Sequence, residues 1–374
     1  MKKELIFTCI LLLCHFLLWY FIVPDGKHFS LNYDSFWYSN IVENGYSGGL
    51  IVSNNGGRLL NTAFYPLYPS LIWLLTYFIN PFHFNPDVIG SIVSTFLYFF
   101  SVIVMFHVLP KLHYLKNYLF TDDKYTKILI IFSCCSYIFY TNHTESLFLF
   151  LFVWTLYFAY KKNILSASIL AGLCALTKNQ GVLFAIIIAL ILSSQESSKF
   201  KKIKTIILSG FISGILFFLF PLYLFYKINQ PFAFILAQNS WPHINSIQEY
   251  FLDFKNHFLF VFYLHKFDFY EQLTLIYRLE VIYYFFLLFV SIYCLIFKKF
   301  KLIFLFFLLC LLLIPMQHSF QNTFRFTVYF FPVLCIFGSF FSEKEKKFII
   351  LAIGFSVFCF LINTINYANF IWSY

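Results

Sequence analysis

Apolar runs close to the length of a membrane span recur along this 374-residue chain, and they constrain its fold more than any single motif. A transmembrane α-helix needs ~20 mostly apolar residues, and only 11% of the residues are charged. A soluble chain of this length would need far more charge to cover its surface. Because a helix satisfies its own backbone groups inside a bilayer, the runs predict an all-α integral membrane protein, folded as one helical bundle over residues 1–374.

The lengths and positions of the runs predict about eleven transmembrane helices. Some runs are short, and we expect one or two of them to tilt or to re-enter the membrane. The predicted spans are 4–23, 87–109, 127–140, 144–160, 164–177, 181–194, 205–226, 280–297, 302–316, 326–342 and 348–366. Two long loops lie outside them, 24–86 and 227–280, and the first is expected to carry surface helices.

Lysine clusters alternate with lysine-poor loops, and this alternation predicts the orientation. The net charge of +10 would suggest nucleic acid as a partner of a soluble protein, but in short membrane loops Lys and Arg mark the cytoplasmic side. The first run follows Lys2 and Lys3 without a small-residue cleavage site, so we expect a retained span with a cytoplasmic N-terminus. The loops rich in His, Asn, Gln, Trp and acids then share the extracytoplasmic or lumenal face, and no nucleic-acid partner is predicted.

The segment "AFYPLYPSLIWLLTYFIN", residues 63–80, decides whether that alternation holds. If it crossed the membrane, the lysines that follow Leu109 would lie outside. The segment is short for a span, opens with two prolines, and carries the Tyr and Trp typical of headgroup depth. We therefore predict a juxtamembrane helix that lies along the outer interface.

Cysteines and histidines give no sign of a disulfide framework or a metal centre. All nine cysteines fall within predicted spans, which argues against disulfides. The histidines of the outer loops lack the spacing of a metal cage, and the chain has no Asp-x-Asp motif. No metal ligands are predicted, and a divalent cation as cofactor is left open.

The stretch "NYDSFWYSNIVENGY", residues 32–46, places two acids and several aromatic residues just past the first span. Its apolar positions suit a short helix on the membrane surface. Taken by spacing alone, Asp34 and Glu43 are solvated loop acids, or Asp34 caps the helix.

Four later stretches, taken together with residues 32–46 and "AFYPLYP", resemble the PIG-V-like mannosyltransferases, in the same order along the chain. That family belongs to the multi-spanning GT-C class and uses polyprenyl-phosphate sugars. The four stretches are "YTNHTESLF" (140–148), "LAGLCALTKNQGVLF" (170–184), "QPFAFILAQNSW" (230–241) and "NTFRFTVYFFP" (322–332).

The sequence departs from the family at three places. Lys178 stands where the family usually has Arg, Phe326 where it usually has Tyr, and Asn32-Tyr33 precede Asp34 where eukaryotic members have His-Trp. These changes leave the sugar-transfer class intact but alter hydrogen bonding to a substrate, which is the type of change that alters the sugar or the acceptor.

The resemblance implies that Asp34 is the catalytic residue. A sugar leaving a lipid phosphate is attacked by an acceptor hydroxyl, whose proton a positioned carboxylate takes as general base. The departing phosphate gathers negative charge, which Lys178 and Arg325 would offset. The alternative for both cations is an interface anchor that reaches toward the headgroups.

The resemblance also assigns substrate-binding roles to residues of the outer loops. Glu145 would hold a substrate hydroxyl or orient Asp34, with a plain helix N-terminal acid as the alternative. The others are Glu43, Tyr46, Gln238 and Trp241, for which a surface acid or an interfacial aromatic belt is the alternative.

The sequence analysis thus predicts an inverting membrane glycosyltransferase. It would move a sugar, mannose by resemblance, from a polyprenyl-phosphate donor to a glycan or glycolipid acceptor on the outer face. Two other classes stay open: a surface-polysaccharide polymerase or ligase, and a lipid-linked sugar transporter or flippase. The lack of internal repeats and of mid-span charge disfavours transport.

Overall fold

The computed structural model describes residues 2–24, 27–28, 34–47, 51–52, 58–59, 61–112, 124–238, 271–297, 301–318, 323–340 and 346–369. Strands β1 (Ile51–Val52) and β2 (Arg58–Leu59) form a short antiparallel pair, and nearly all other regular structure is helical. The α-helices, in chain order, are α1 Lys2–Ile22, α2 Asp34–Asn44, α3 Leu67–Phe78, α4 Pro86–Ile103, α5 Lys124–Ile131, α6 Glu145–Tyr160, α7 Ile164–Ala175, α8 Asn179–Ser194, α9 Lys199–Ile228, α10 Ala233–Gln238, α11 Glu271–Phe297, α12 Lys301–His318, α13 Thr323–Phe326, α14 Phe331–Phe340 and α15 Lys346–Ala368.

Five helical stretches of the described chain are long and apolar enough to cross a membrane. They are Lys2–Ile22, Pro86–Lys111, Lys199–Ile228, Tyr277–Phe297 and Lys347–Ala368. Several shorter apolar helices accompany them, α6, α7 and α8 among them. The chain is therefore a membrane protein, while the count of about eleven spans and their orientation stay predictions.

The contacts divide the chain into two compact units. Unit 1 consists of Met1–Lys27, Leu115–Tyr137 and Trp241–Tyr374. Unit 2 consists of His28–Tyr114 and Ile138–Ser240.

In unit 1, α1 packs against α5 and α15 through one stripe of its surface. The buried members of the stripe recur every three or four residues, as helical geometry requires, and are Thr8, Leu12, His15 and Trp19. The opposite side exposes large apolar side chains such as Phe21, which is suited to a lipid environment. Polar His15 is fully buried, between the rings of Phe132 and Phe360.

The predicted span 127–140 is not one helix. α5 ends at Ile131, residues 132–135 are non-helical, and a 3₁₀ helix follows at Ser136–Tyr140. Backbone groups freed by such a break must find partners when they are buried. Asn363 of α15 supplies one, since its amide donates to the Cys134 carbonyl at 3.0 Å.

The predicted span 326–342 becomes helical only at Phe331, because α13 ends at Phe326 and non-helical residues 327–330 precede α14. Pro332 lies in the first turn of α14. Proline has no N–H to donate, and this is tolerated in the first turn of a helix but not in its interior. A new helix therefore starts at Phe331. The span predicted at 280–297 also differs in its start, because α11 begins at Glu271.

Unit 2 is built around the successive helices α6, α7, α8 and α9, which pack on one another. The Asn163 side chain caps α7 by accepting from Ser166 N, and Ser198 caps α9 by accepting from Lys201 N. Small polar residues join α7 to α9, with Ser168 Oγ donating to Ser209 Oγ at 2.7 Å.

Helix α3 occupies the segment predicted to lie along the outer interface. It buries Tyr68, Pro69 and Ile72 against unit 2 and exposes Trp73 and Tyr77 on its other side. An amphipathic helix with exposed aromatics is what an interfacial position requires. That position itself stays a prediction.

Candidate functional site

Residues 141–145, here called the polar segment, form the most densely polar buried stretch of unit 2. They connect the 3₁₀ helix Ser136–Tyr140 to α6 and read Thr-Asn-His-Thr-Glu. None of the five is more than 2% exposed. Burying so many polar groups is unfavourable unless each finds partners, so the contacts of the segment define what it does.

The polar segment contacts α2, the helix that begins at Asp34. The Asn142 side-chain amide donates to Ser39 Oγ at 2.9 Å and to the Ser35 carbonyl at 3.4 Å. The hydroxyl groups of Tyr38 and Thr144 lie 3.3 Å apart. The contacted residues of α2 are spaced three or four apart, so they form one buried face. Asp34 opens the helix beside that face and is partly exposed.

At its other end the polar segment forms an ion pair. Lys178 Nζ donates to Glu145 Oε1 at 2.8 Å, and the exposure of the two side chains is 9% and 0%. Lys178 therefore does not extend to the surface as an interface anchor would, and Glu145 has a cationic partner in addition to its place at the start of α6. The substrate-binding roles themselves stay predictions.

The turn between α7 and α8 positions Lys178. Lys178 is extended, with φ −153° and ψ 155°, just before α8 begins. Gly181 lets the first turn of α8 approach the end of α7, since a Cβ there would lie 2.0 Å from the Cys174 carbonyl oxygen. Only glycine fits so close a backbone approach. The Leu176 carbonyl of the same turn accepts from Leu67 N at 3.0 Å, which joins it to α3.

Helices α3 and α4 support the polar segment from another side. The Tyr68 hydroxyl lies 2.9 Å from Ser94 Oγ, which donates to the His143 carbonyl at 3.2 Å. His143 Nδ1 lies 2.8 Å from Thr141 Oγ1. Gly90 of α4 packs directly on Asn142, and a Cβ on Gly90 would lie 2.0 Å from Asn142 Oδ1.

Aromatic rings join α2 to the "AFYPLYP" stretch, which explains the aromatic content of both motifs. Trp37 stacks on Phe64 with centroids 5.7 Å apart. Tyr38 packs edge-on against Phe64 and Tyr68, at 5.3 and 5.2 Å. Such pairs stabilise beyond the area they bury. The two motifs therefore form one packed layer around the start of α2.

Tyr46 and Glu43 occupy different environments although both follow Asp34 on the same stretch. The Tyr46 hydroxyl donates to the Phe64 carbonyl at 2.7 Å, and the side chain is buried. Burial raises the pKa of Tyr46 well above its usual value, and the nearby Tyr38 and Tyr223 add to the shift. Burial also raises the pKa of neighbouring Tyr65, to about 12. Glu43 lies exposed near the end of α2.

The remaining predicted residues lie in other elements of the chain or outside the described residues. Arg325 belongs to unit 1, where it is buried in α13 with its guanidinium carbon 5.9 Å from the Phe326 ring centre. Gln238 is the last residue of α10. Trp241 lies outside the described residues. Within those residues, no group of three or more His, Cys, Asp or Glu could hold a metal ion.

The sequence analysis did not single out Asn142, Thr144 or Tyr38. One signal was available for the first two, since the six polar residues of "TNHTES" interrupt two apolar runs. A break of that composition is ordinary in a solvated loop, and nothing local indicates that this one is buried.

Comparisons with known proteins leave the family open. No protein-family model matches the chain, and no curated protein matches it. Among solved structures, the chain is similar to the crystal structure of the Archaeoglobus fulgidus oligosaccharyltransferase in complex with Zn and sulfate, with 12% sequence identity and a TM-score of 0.45. The match covers 97% of this chain and 53% of that protein, so the chain spans about half of its length. At that TM-score the likeness does not decide the fold, and the PIG-V-like resemblance stays a prediction.

Proposed function

We propose that the chain is a membrane glycosyltransferase of the GT-C class. It transfers a sugar, with mannose implied by the resemblance, from a polyprenyl-phosphate donor to a glycan or glycolipid acceptor on the extracytoplasmic or lumenal face. One observation supports this above the rest. A buried polar segment links the helix that carries Asp34 to a buried Lys178–Glu145 ion pair.

Asp34 is the proposed general base. The acceptor hydroxyl oxygen forms a bond to the anomeric carbon of the donor sugar while Asp34 takes the hydroxyl proton. The bond from that carbon to the phosphate oxygen breaks, and its electron pair leaves with the phosphate. Attack from the face opposite the leaving group inverts the anomeric carbon. Asp34 suits the role because its helix is fixed on one face while the acid itself stays partly exposed.

Lys178 and Glu145 are the proposed partners of the donor phosphate. An ammonium group has three N–H donors, so a bond to Glu145 is compatible with a second bond to a phosphate oxygen. A cation held in a water-poor site stabilises the charge of a departing phosphate more strongly than one in water. Glu145 fixes the ammonium group in place, and the buried pair adds no net charge before substrate binds.

The other predicted residues keep proposed substrate-binding roles. Arg325 is proposed as a second cation for the donor phosphate, and Glu43, Tyr46, Gln238 and Trp241 as contacts for the sugars. For Tyr46 the known bond to the Phe64 carbonyl leaves the phenol oxygen as an acceptor.

The test is transfer of radiolabelled mannose out of polyprenyl-phosphate-mannose in vesicles that contain the protein and candidate glycan or glycolipid acceptors. Asp34→Asn changes charge and basicity at nearly constant shape, and loss of a general base costs roughly 10²- to 10⁴-fold in rate. Glu196→Gln is the matched control, because it makes the same change in the turn between α8 and α9. Wild-type activity in Asp34→Asn would remove the central assignment.

A lipid-linked sugar transporter is the second candidate, and one observation favours it. Transporters build sites from interrupted helices, and the predicted span 127–140 is interrupted at residues 132–135, next to Ser136, which contacts the buried His15. The same vesicles separate the two functions. Labelled donor that crosses the bilayer without passing its sugar to an acceptor would favour transport.

A further inference from the structure

We propose that Asn142 is a positioning residue that holds the start of α2, and with it Asp34, in the reactive geometry. The inference rests on the proposed role of Asp34 as general base. In this proposal Asn142 does not act on Asp34 or the substrate directly. It acts through Ser35 and Ser39.

Asn142 donates hydrogen bonds to the first and the second turn of α2. Its amide nitrogen donates to the Ser35 carbonyl and to Ser39 Oγ, and Ser35 directly follows Asp34. The amide carries two hydrogens, so one group satisfies both acceptors. Asn142 is only 2% exposed. These bonds are therefore shielded from water, which strengthens them relative to surface contacts.

Gly90 leaves the space that the Asn142 side chain needs to form these two hydrogen bonds. A Cβ at position 90 would lie 2.0 Å from Asn142 Oδ1 and 2.5 Å from its Cγ, so any larger residue would displace the amide from the position in which it bonds α2. Asn142 Oδ1 has no hydrogen-bond partner among the described residues. The amide is thus held by its nitrogen on one side and by contact with α4 on the other.

The need for such a grip follows from the length of α2. A helix of 11 residues is marginal in water by itself, and its ends fray first. Asp34 is the first residue of that helix. A misplacement of about 1 Å at a reacting group can cost on the order of 10²-fold in rate.

The kinetic test compares Asn142→Ala with the wild type in two backgrounds. In the wild-type background we expect kcat to fall about 10- to 100-fold with little change in KM. In the Asp34→Glu background, where the carboxylate is already displaced, Asn142→Ala should cost much less, because the two residues act as a unit. Equal losses in both backgrounds, or a change confined to KM, would overturn the inference.

A second variant reaches the same contact without removing the amide. Gly90→Ala should reproduce the loss in kcat, since the added methyl group displaces Asn142. Gly214→Ala is the matched control, because it is also a helical glycine of unit 2 and a Cβ there would meet nothing within 4 Å. Loss of kcat in Gly214→Ala equal to that in Gly90→Ala would contradict the proposed contact.

Hydrogen exchange of the α2 amides tests, without any substrate, whether Asn142 stabilises α2. Asn142→Ala and Gly90→Ala should speed exchange over residues 34–44 and leave α8 unchanged, whereas Gly214→Ala should change neither. Unchanged α2 exchange in both variants would overturn the inference. A wild-type chain that transfers no sugar would overturn the proposed function instead, and the exchange measurement would still decide whether Asn142 holds α2.

Discussion

Two interruptions of helical structure follow one another along the chain and belong to different units. In unit 1, the break at residues 132–135 uses neutral groups that satisfy backbone carbonyls: the Asn363 amide bonds Cys134, and Ser136 Oγ bonds Ser133 at 2.8 Å. In unit 2, the polar segment ends on an ion pair and on the helix that carries Asp34. Buried polarity alone therefore does not indicate a functional site. The groups that the buried polar residues hold in place are a better indicator of a functional site.

The largest expected difference between the units is the loss of stability when the lysine of each ion pair is replaced. Lys178–Glu145 and Lys127–Glu4 have nearly equal lengths, 2.8 and 2.7 Å, but Glu145 is fully buried and Glu4 is 51% exposed. Lys178→Met would leave a buried carboxylate without its cation and should cost about 3–5 kcal/mol. Lys127→Met would leave a hydrated carboxylate and should cost about 1 kcal/mol or less. Thermal melting in detergent measures both losses of stability. Equal losses would show that the burial of Glu145 does not make its ion pair different from that of Glu4.

The double variant Glu145→Gln with Lys178→Met sharpens the same contrast. Replacing both members of a buried pair removes the uncompensated charge, so most of the lost stability should return. Sugar transfer should not return, since the proposed phosphate contact is absent. A double variant with full stability and full transfer would leave the pair a packing role only.

A smaller effect is expected from Asn363→Leu in unit 1. The change keeps the size of the side chain and removes the donor to the buried Cys134 carbonyl, which should cost about 1–3 kcal/mol. The kcat of the folded protein should stay at the wild-type value, because this break holds backbone only. A fall in kcat without a fall in melting temperature would show that the unit 1 break takes part in the reaction or in transport.

The smallest loss of stability is expected from Tyr46→Phe. Tyr46 belongs to unit 2 but lies outside the polar segment, so its hydroxyl group is expected to stabilise the fold only, like the polar groups of the unit 1 break. Loss of the bond to the Phe64 carbonyl should cost about 1 kcal/mol. The raised pKa keeps the phenol protonated, so this contribution is complete below pH ~10, the ordinary tyrosine value, and is lost as the pH rises through the raised pKa. The difference in melting temperature should thus be equal at pH 7 and pH 9. A rise in KM at unchanged stability would instead support direct substrate contact.

Much of the helical structure could be predicted because hydropathy is a local property. The runs at 144–160, 164–177 and 181–194 correspond closely to α6, α7 and α8. The break after Ile131 could not be predicted, since apolar residues continue through it. It depends on Asn363, which lies 229 positions from Cys134 in the sequence. The start of α14 at Phe331 had a local signal in Pro332, but the span was predicted from hydropathy, which gave an earlier start.

For the candidate site, residue types were easier to predict than contacts. Glu145 and Lys178 were singled out by the family resemblance, but their pairing depends on how the α7–α8 turn meets the start of α6. Asn142 was missed because an amide in a polar break has no distinctive sequence signal. Its partner Gly90 reads as an ordinary glycine in an apolar run, and only the packing of α4 gives it meaning.

The division into units has a consequence for biogenesis. Unit 2 is encoded entirely between residues 28 and 240, whereas in unit 1 α1 and α5 pack against α15, which is made after all of unit 2. Since chains emerge from the ribosome N-terminus first and domains fold as they become complete, the polar segment, its ion pair and α2 can assemble while α1 still waits for α15. The insertion machinery, or surrounding lipid, must therefore shelter the buried face of α1, including His15, until α15 has been made.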